Sequence, residues 1–186
     1  MDKREEILNA TLELVTENGF HGAPMSKVAK KANVAAGTIY HHFANKDALI
    51  VALYHEIKFK MGRALSSNDD KSWNTKKRFF HFWMNQYRFF SENTSYFRFM
   101  EQYNNSPFLT NEIRENGKKH YKPIIDFIKD GMQKGVLREM PIQLMMTLLH
   151  SSVAAVLRLQ LIGELEVTQE VLNHAMQSCW DGARIN

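Results

Sequence analysis

At 186 residues, with 44% apolar and 24% charged side chains, the chain is long enough to bury a core, as one domain or as a small domain joined to a larger one. The formal net charge of +4 leans towards anionic partners without choosing one. The single cysteine, Cys179, excludes an intramolecular disulfide, and with no cysteine pair there is no zinc-site spacing; a reducing cytoplasm fits. Met1-Asp-Lys-Arg-Glu-Glu runs straight into an amphipathic pattern rather than an apolar signal core. No apolar run is expected to approach the length of a membrane span, so a soluble, cytoplasmic protein is expected.

Apolar residues recur at helical spacing nearly everywhere, and Gly and Pro fall mostly at the ends of periodic segments, which predicts an all-α fold. The first helix is expected from about Lys3 to Asn18, with Ile7, Leu8, Thr11, Leu12, Leu14 and Val15 inward and Gly19 ending it in a left-handed conformation. Ser26 is placed as the N-cap of a second helix through about Ala32, closed by Asn33, which tolerates left-handed geometry. A third helix, about Ala36 to Phe43, follows after a few residues, so Ser26 to Phe43 has the spacing and turn chemistry of a helix-turn-helix. Asn45 caps a fourth helix that continues through Leu49, Leu53 and Ile57 towards Ala64, and Ser66-Ser-Asn-Asp-Asp-Lys-Ser72 breaks the pattern. Later helices are expected at about 75–91, 94–103, 111–134 with interruptions at Gly117 and Pro123, 142–162 and 168–182.

From Asn18 to Lys46 there is no Asp or Glu, while Lys27, Lys30, Lys31, Lys46, His21, His41 and His42 lie inside the same window. A polyanion can approach such a window without repulsion. The order of these helices, with Gly37-Thr-Ile-Tyr-His-His-Phe43 and Asn45-Lys-Asp-Ala-Leu49, resembles the TetR family of bacterial transcriptional regulators from about Ile7 to Leu53. The resemblance implies a three-helix operator-reading domain at 1–53 and a helical domain at 54–186 that dimerises and binds a small-molecule effector. Asn33 stands where the family often has Gly, which the turn accommodates. Ala35 stands where the family often has Ser, which removes a side-chain cap or phosphate contact.

Base readout needs side chains near the start of the third helix that reach base edges, with neighbours that hold the phosphates. If Ile39 and Phe43 point inward, Ala36, Gly37, Thr38 and His41 face outward. The Ala36 or Thr38 methyl can meet a thymine methyl, and Gly37 lets the backbone approach. Tyr40 and His42 match the family's phosphate-contacting positions; the alternative is that they cover the edge of the core. Lys46, in the first turn of a helix, opposes the macrodipole at a cost of about 0.3–1 kcal/mol, a sign that a bound phosphate would reverse. Ser26 and Lys27 begin the second helix and form a second candidate phosphate clamp. Lys30 and Lys31 are as readily a solvated face.

Most of the aromatic residues crowd between Trp73 and Phe108. Phe79, Phe82, Trp83, Gln86, Tyr87 and Phe90 share one helical stripe, with Phe80, Met84 and Phe89 off it, so that helix is expected to be surrounded. Two readings stay open there, a plain bundle core and an effector pocket. Candidate pocket residues are Trp83, Gln86, Tyr87, Met100, Tyr103, Phe108, His120, Tyr121, Ile124, Phe127 and Met145, with Glu101 and His150 as further polar candidates. Ile142 to Leu161 is apolar around much of its circumference and carries the small residues Ser151, Ser152, Ala154 and Ala155. With the last helix it is the expected homodimer interface. No phosphate loop, nucleophile elbow, carboxylate pair or metal-ligand spacing is present, so neither enzyme activity, cofactor nor metal is expected. The expected function is that of a repressor released from its operator by a hydrophobic or amphipathic ligand. The alternative is a ligand-independent DNA-binding protein that recruits a protein partner.

Overall fold

The computed structural model describes residues 2–185. Its helices are α1 (Lys3–Asn18), α2 (Met25–Lys31), α3 (Ala36–His42), α4 (Lys46–Ser66), α5 (Thr75–Glu92), α6 (Thr94–Asn104), α7 (Asn111–Lys118), α8 (Lys122–Gln133), α9 (Ile142–Leu161) and α10 (Gln169–Ala183). A 3-10 turn, Lys119–Tyr121, separates α7 from α8. Among the described residues, extended pairing is confined to one isolated antiparallel bridge between Leu137 and Arg184. The expected all-α class holds.

The helix ends follow from local chemistry. Asp2 caps α1, its Oδ1 accepting from the Arg4 N–H at 3.4 Å. Gly19 ends that helix at φ 68°, ψ 177°. The positive φ is as expected, but the extended ψ belongs to a region that only glycine occupies cheaply. Ser26 is not the cap of α2: the helix begins at Met25 after Pro24, and Ser26 lies exposed inside the first turn. Pro24 has the extended conformation of a cap (φ −68°, ψ 154°), and its carbonyl accepts from the N–H groups of Lys27 and Val28, so the helix starts two residues earlier. Asn33 at φ 52° closes α2, as expected, and Asn45 Oδ1 accepts from the Ala48 N–H at 2.8 Å to start α4.

The chain divides into two compact units, Met1–Lys60 with Asn93–Lys119, and Met61–Glu92 with His120–Asn186. The division passes through α4 between Lys60 and Met61, and α6 and α7 group with the helix-turn-helix unit rather than with the later helices. The reason is an aromatic cluster. Phe20, just past the end of α1, lies 6.1 Å from Phe99 and 6.4 Å from Tyr103 of α6, and 5.1 Å from Phe108, between ring centroids. Ile7, Val15, Ile39, Ile50 and Ile57 are fully enclosed in the same unit.

In the second unit α5 packs on α9 and α10, and α8 packs on α9. Phe79, Phe82, Trp83 and Phe90 are wholly buried, and so is the off-stripe Phe89 to within 9%. Each such ring contributes roughly 1.5–3 kcal/mol by leaving water. Trp180 of α10 closes over Phe79 at 5.3 Å. One expectation is corrected here: α9 is long and apolar enough by composition to cross a membrane, with a third of its most apolar window buried.

Candidate nucleic-acid interface and effector region

Ile39 (0% exposed) and Phe43 (5%) anchor α3 against the core. That anchoring fixes every other position on a 3.6-residue period. Ala36, Gly37, Tyr40 and His41 are exposed, and Thr38 and His42 half-buried. Tyr40 is 56% exposed, too open to serve as an edge of the core. The imidazoles of His41 and His42 stand edge to face at 5.3 Å, and His42 also leans on Phe43 at 6.2 Å. The Val34 N–H donates to the Ala29 carbonyl at 3.0 Å, tying the turn to α2.

The four lysines of the acid-free window do different work. Lys27 and Lys30 are exposed on α2, next to Ser26. Lys31 reaches back to Glu13 of α1 at 2.7 Å, and that hydrogen bond raises its pKa; it braces α1 against α2 at the edge of the window. Lys46 is half-buried, and its Nζ donates to the Phe20 carbonyl at 2.5 Å. The unfavourable cation at the start of α4 thus has a partner 26 residues away, which no local pattern reveals. An ammonium has three N–H donors, so two remain for an anion.

The candidate effector residues do not fall in one unit. Met100, Tyr103 and Phe108 belong to the first unit, where the Tyr103 hydroxyl donates to the Phe108 carbonyl at 3.2 Å. Trp83, Gln86, Tyr87, His120, Tyr121, Ile124, Phe127 and Met145 belong to the second. There, three side chains of α5 carry polar bonds to α9. The Trp83 indole N–H donates to Ser152 Oγ at 2.8 Å, Gln86 Nε2 meets His150 Nδ1 at 2.9 Å, and the Tyr87 hydroxyl donates to Gln160 at 3.0 Å. Gln86 is 4% exposed, and its Oε1 has no hydrogen-bond partner. Phe127 packs on Phe82 at 5.0 Å.

A second feature of this unit escaped the sequence reading. A cleft of about 840 Å³ is lined by Asp69, Trp73, Arg78, Asp126, Phe127 and Asp130, among others. Arg78 lies 4.8 Å over the Phe127 ring and is clamped by both oxygens of Asp69, at 2.8 and 2.6 Å. Lys76, Lys77 and Arg78 occupy the first turn of α5, where cations oppose the dipole. That is the same signal that marked Lys46, and it would have pointed to Arg78.

The description "Tetracyclin repressor-like, C-terminal domain" fits residues 74–183, more than half of the chain, and "Bacterial regulatory proteins, tetR family" fits residues 7–53. An uncharacterized HTH-type transcriptional regulator of Haemophilus influenzae is 34% identical over 106 residues, which span 57% of this chain and 57% of that one. A TetR family transcription regulator from Shewanella sp. PV-4 has the same fold over the whole of both chains, with a TM-score of 0.92 at 24% identity. FadR of Bacillus subtilis, solved in complex with stearoyl-CoA, shares the fold over 96% of this chain and 98% of its own, with a TM-score of 0.76 at 19% identity. With its exposed α3 turn set in the head that these comparisons match, the chain belongs to the TetR family of bacterial transcriptional regulators.

Proposed function

We propose that the protein binds a double-stranded DNA operator as a homodimer and represses transcription until a small hydrophobic or amphipathic effector binds, acting by binding rather than by catalysis. The observation that carries this reading is the outward turn of α3. Ala36, Gly37, Thr38 and His41 are available to base edges while Ile39 and Phe43 hold the helix, and Tyr40, His42, Ser26, Lys27 and Lys46 are available to phosphates. One seven-residue helix reads few base pairs, so operator affinity needs a second half-site.

The face for the second copy is α9. Leu144, Leu148, Leu159 and Ile162 are 39–65% exposed, and Ser151 and Ala155 between them are exposed and small. That spacing makes one apolar stripe, of the kind a monomer does not leave in water. In the dimer, two recognition helices address successive major grooves about 34–36 Å apart, and an effector acts by changing that separation through α4. The operator-reading part is residues 1–53, and the effector-binding and dimerising part is 54–186. Stearoyl-CoA, the ligand held by the fold relative FadR, is an amphipathic molecule of the proposed class.

Selection of bound duplexes from a random pool tests the reading. An enriched inverted repeat, released on screening with amphipathic small molecules, is the expected result. Failure to enrich any sequence contradicts operator reading, and enrichment with release by none of them contradicts the effector.

A further inference from the structure

We infer that Arg78, His81 and Asn85 of α5 are positioning residues that set which half-site spacing the protein accepts in its operator, by clamping the C-terminal end of α4. This rests on the operator reading above. The last four carbonyls of a helix lack a partner within it, so this end of α4 needs groups from elsewhere. α5 supplies them. The Asn85 side-chain amide donates to the Leu65 carbonyl at 3.2 Å and to the Ser67 carbonyl at 3.1 Å. His81 Nε2 lies 2.7 Å from the same Ser67 oxygen, and since a carbonyl only accepts, that nitrogen carries the proton. Asn68 then turns the chain at φ 56°, and Asp69 receives both arms of the Arg78 guanidinium, at 2.8 and 2.6 Å.

Positions 78, 81 and 85 recur at helical spacing and share one face of α5. Trp83, Gln86 and Tyr87, which carry the bonds to α9, lie on another. One helix is therefore bonded to the end of α4 on one side and to α9, the helix of the proposed dimer face, on the other. The Arg78–Asp69 pair is no loose surface contact, because its side chains are only 12% and 10% exposed. The guanidinium also lies 4.8 Å over the Phe127 ring of α8. A two-armed pair backed by a ring fixes an orientation, which a single ammonium does not.

Leverage makes this end of α4 matter to DNA. The helix runs unbroken for 21 residues from Lys46 to Ser66, a length of roughly 30 Å. Its first turn belongs to the reading head, where Lys46 holds the Phe20 carbonyl. A tilt of about 5° at the clamped end moves the other end by about 3 Å, close to the ~3.4 Å step between base pairs. With two copies joined through α9, the bonds from α9 to α5 and from α5 to α4 fix the separation of the recognition helices, and so the operator spacing they fit.

The test uses the full chain and the inverted repeat that wild type enriches from a random duplex pool. Binding is titrated on that repeat and on versions with one base pair inserted or removed between the half-sites, for wild type, Arg78→Lys and Asn85→Ala. Ile128→Ala, which empties a wholly buried site on α8 away from the clamp, is the control for lost stability alone. Wild type should lose about tenfold or more in affinity on either altered spacing, and the two clamp variants about threefold or less. Ile128→Ala should unfold at a lower temperature yet keep the wild-type spacing penalty. A wild-type penalty in both clamp variants overturns the inference, as does a wild type indifferent to spacing. A penalty relaxed equally in Ile128→Ala also overturns it, because general loosening then accounts for the effect. If Arg78→Lys does not fold, Asn85→Ala decides alone. A wild type that enriches no inverted repeat is a different failure, that of the operator reading, and takes this inference with it.

Discussion

Helices α3 and α5 are both rich in aromatic or imidazole side chains, yet they teach opposite lessons about what a sequence discloses. α3 has one wholly buried residue, Ile39, within its span, so each remaining position has its own exposure and its own candidate role. In α5, Phe79, Phe82, Trp83, Gln86, Tyr87, Phe89 and Phe90 are all buried, and composition does not separate a pocket wall from a core ring. A sparsely anchored helix is legible residue by residue, whereas a surrounded helix is legible only as a whole.

The largest expected effect tests the face of α9 against both helices. Ala155→Arg places a charge in the proposed dimer interface and should yield helical monomers whose operator affinity falls about 10³-fold or more, towards the non-specific level. Sedimentation with a binding titration reads both quantities, and a variant that stays dimeric moves the interface elsewhere. Next comes Tyr103→Ala. With 0% exposure and rings on two sides, Tyr103 is placed to cost about 3–5 kcal/mol of stability when truncated. Tyr103→Phe, which loses only the bond to the Phe108 carbonyl, should cost about 0.5–1.5 kcal/mol in the same denaturant titration. Equal costs would mean that the ring is not packed as described.

Lys58 offers a smaller, pH-dependent effect. Its pKa lies near 8 when folded, below the ordinary lysine value of 10.5, so the folded state binds this proton less tightly than the unfolded chain does. The resulting penalty is full below pH 8 and is relieved as pH rises towards 10.5. Wild-type stability measured relative to Lys58→Met should therefore climb between pH 8 and 10, because burial of the ammonium, and then the charge of Arg114, lowers its pKa. A flat difference would place the ammonium in a better-solvated setting. Smallest is Lys46→Ala, which should weaken operator binding across all sequences and reduce the salt slope by about one unit. An unchanged slope would leave Lys46 only its bond to Phe20.

Much of the fold was legible because periodicity and end signals are local. Asp2 escaped notice as the cap of α1, and Ser26 was misplaced because Pro24 already supplies the extended conformation and carbonyl that begin α2. What stayed hidden was non-local. Phe20 binds α6 to α1, Lys46 finds a carbonyl 26 residues away, and Arg78 finds Asp69 across the break after α4. The apolar character of α9 was legible in the sequence, but which leucines it leaves exposed, Leu144, Leu148 and Leu159, depends on the packing of α5, α8 and α10 against its other side.

The claim that α3 reads bases is tested most directly by comparing the full sequence preferences of wild type, Thr38→Ala and His41→Ala on one random duplex pool. The account predicts that each variant relaxes preference at one symmetry-related pair of positions, by about 1–3 kcal/mol per lost contact, while the other positions keep theirs. Identical preference profiles for all three proteins would contradict it.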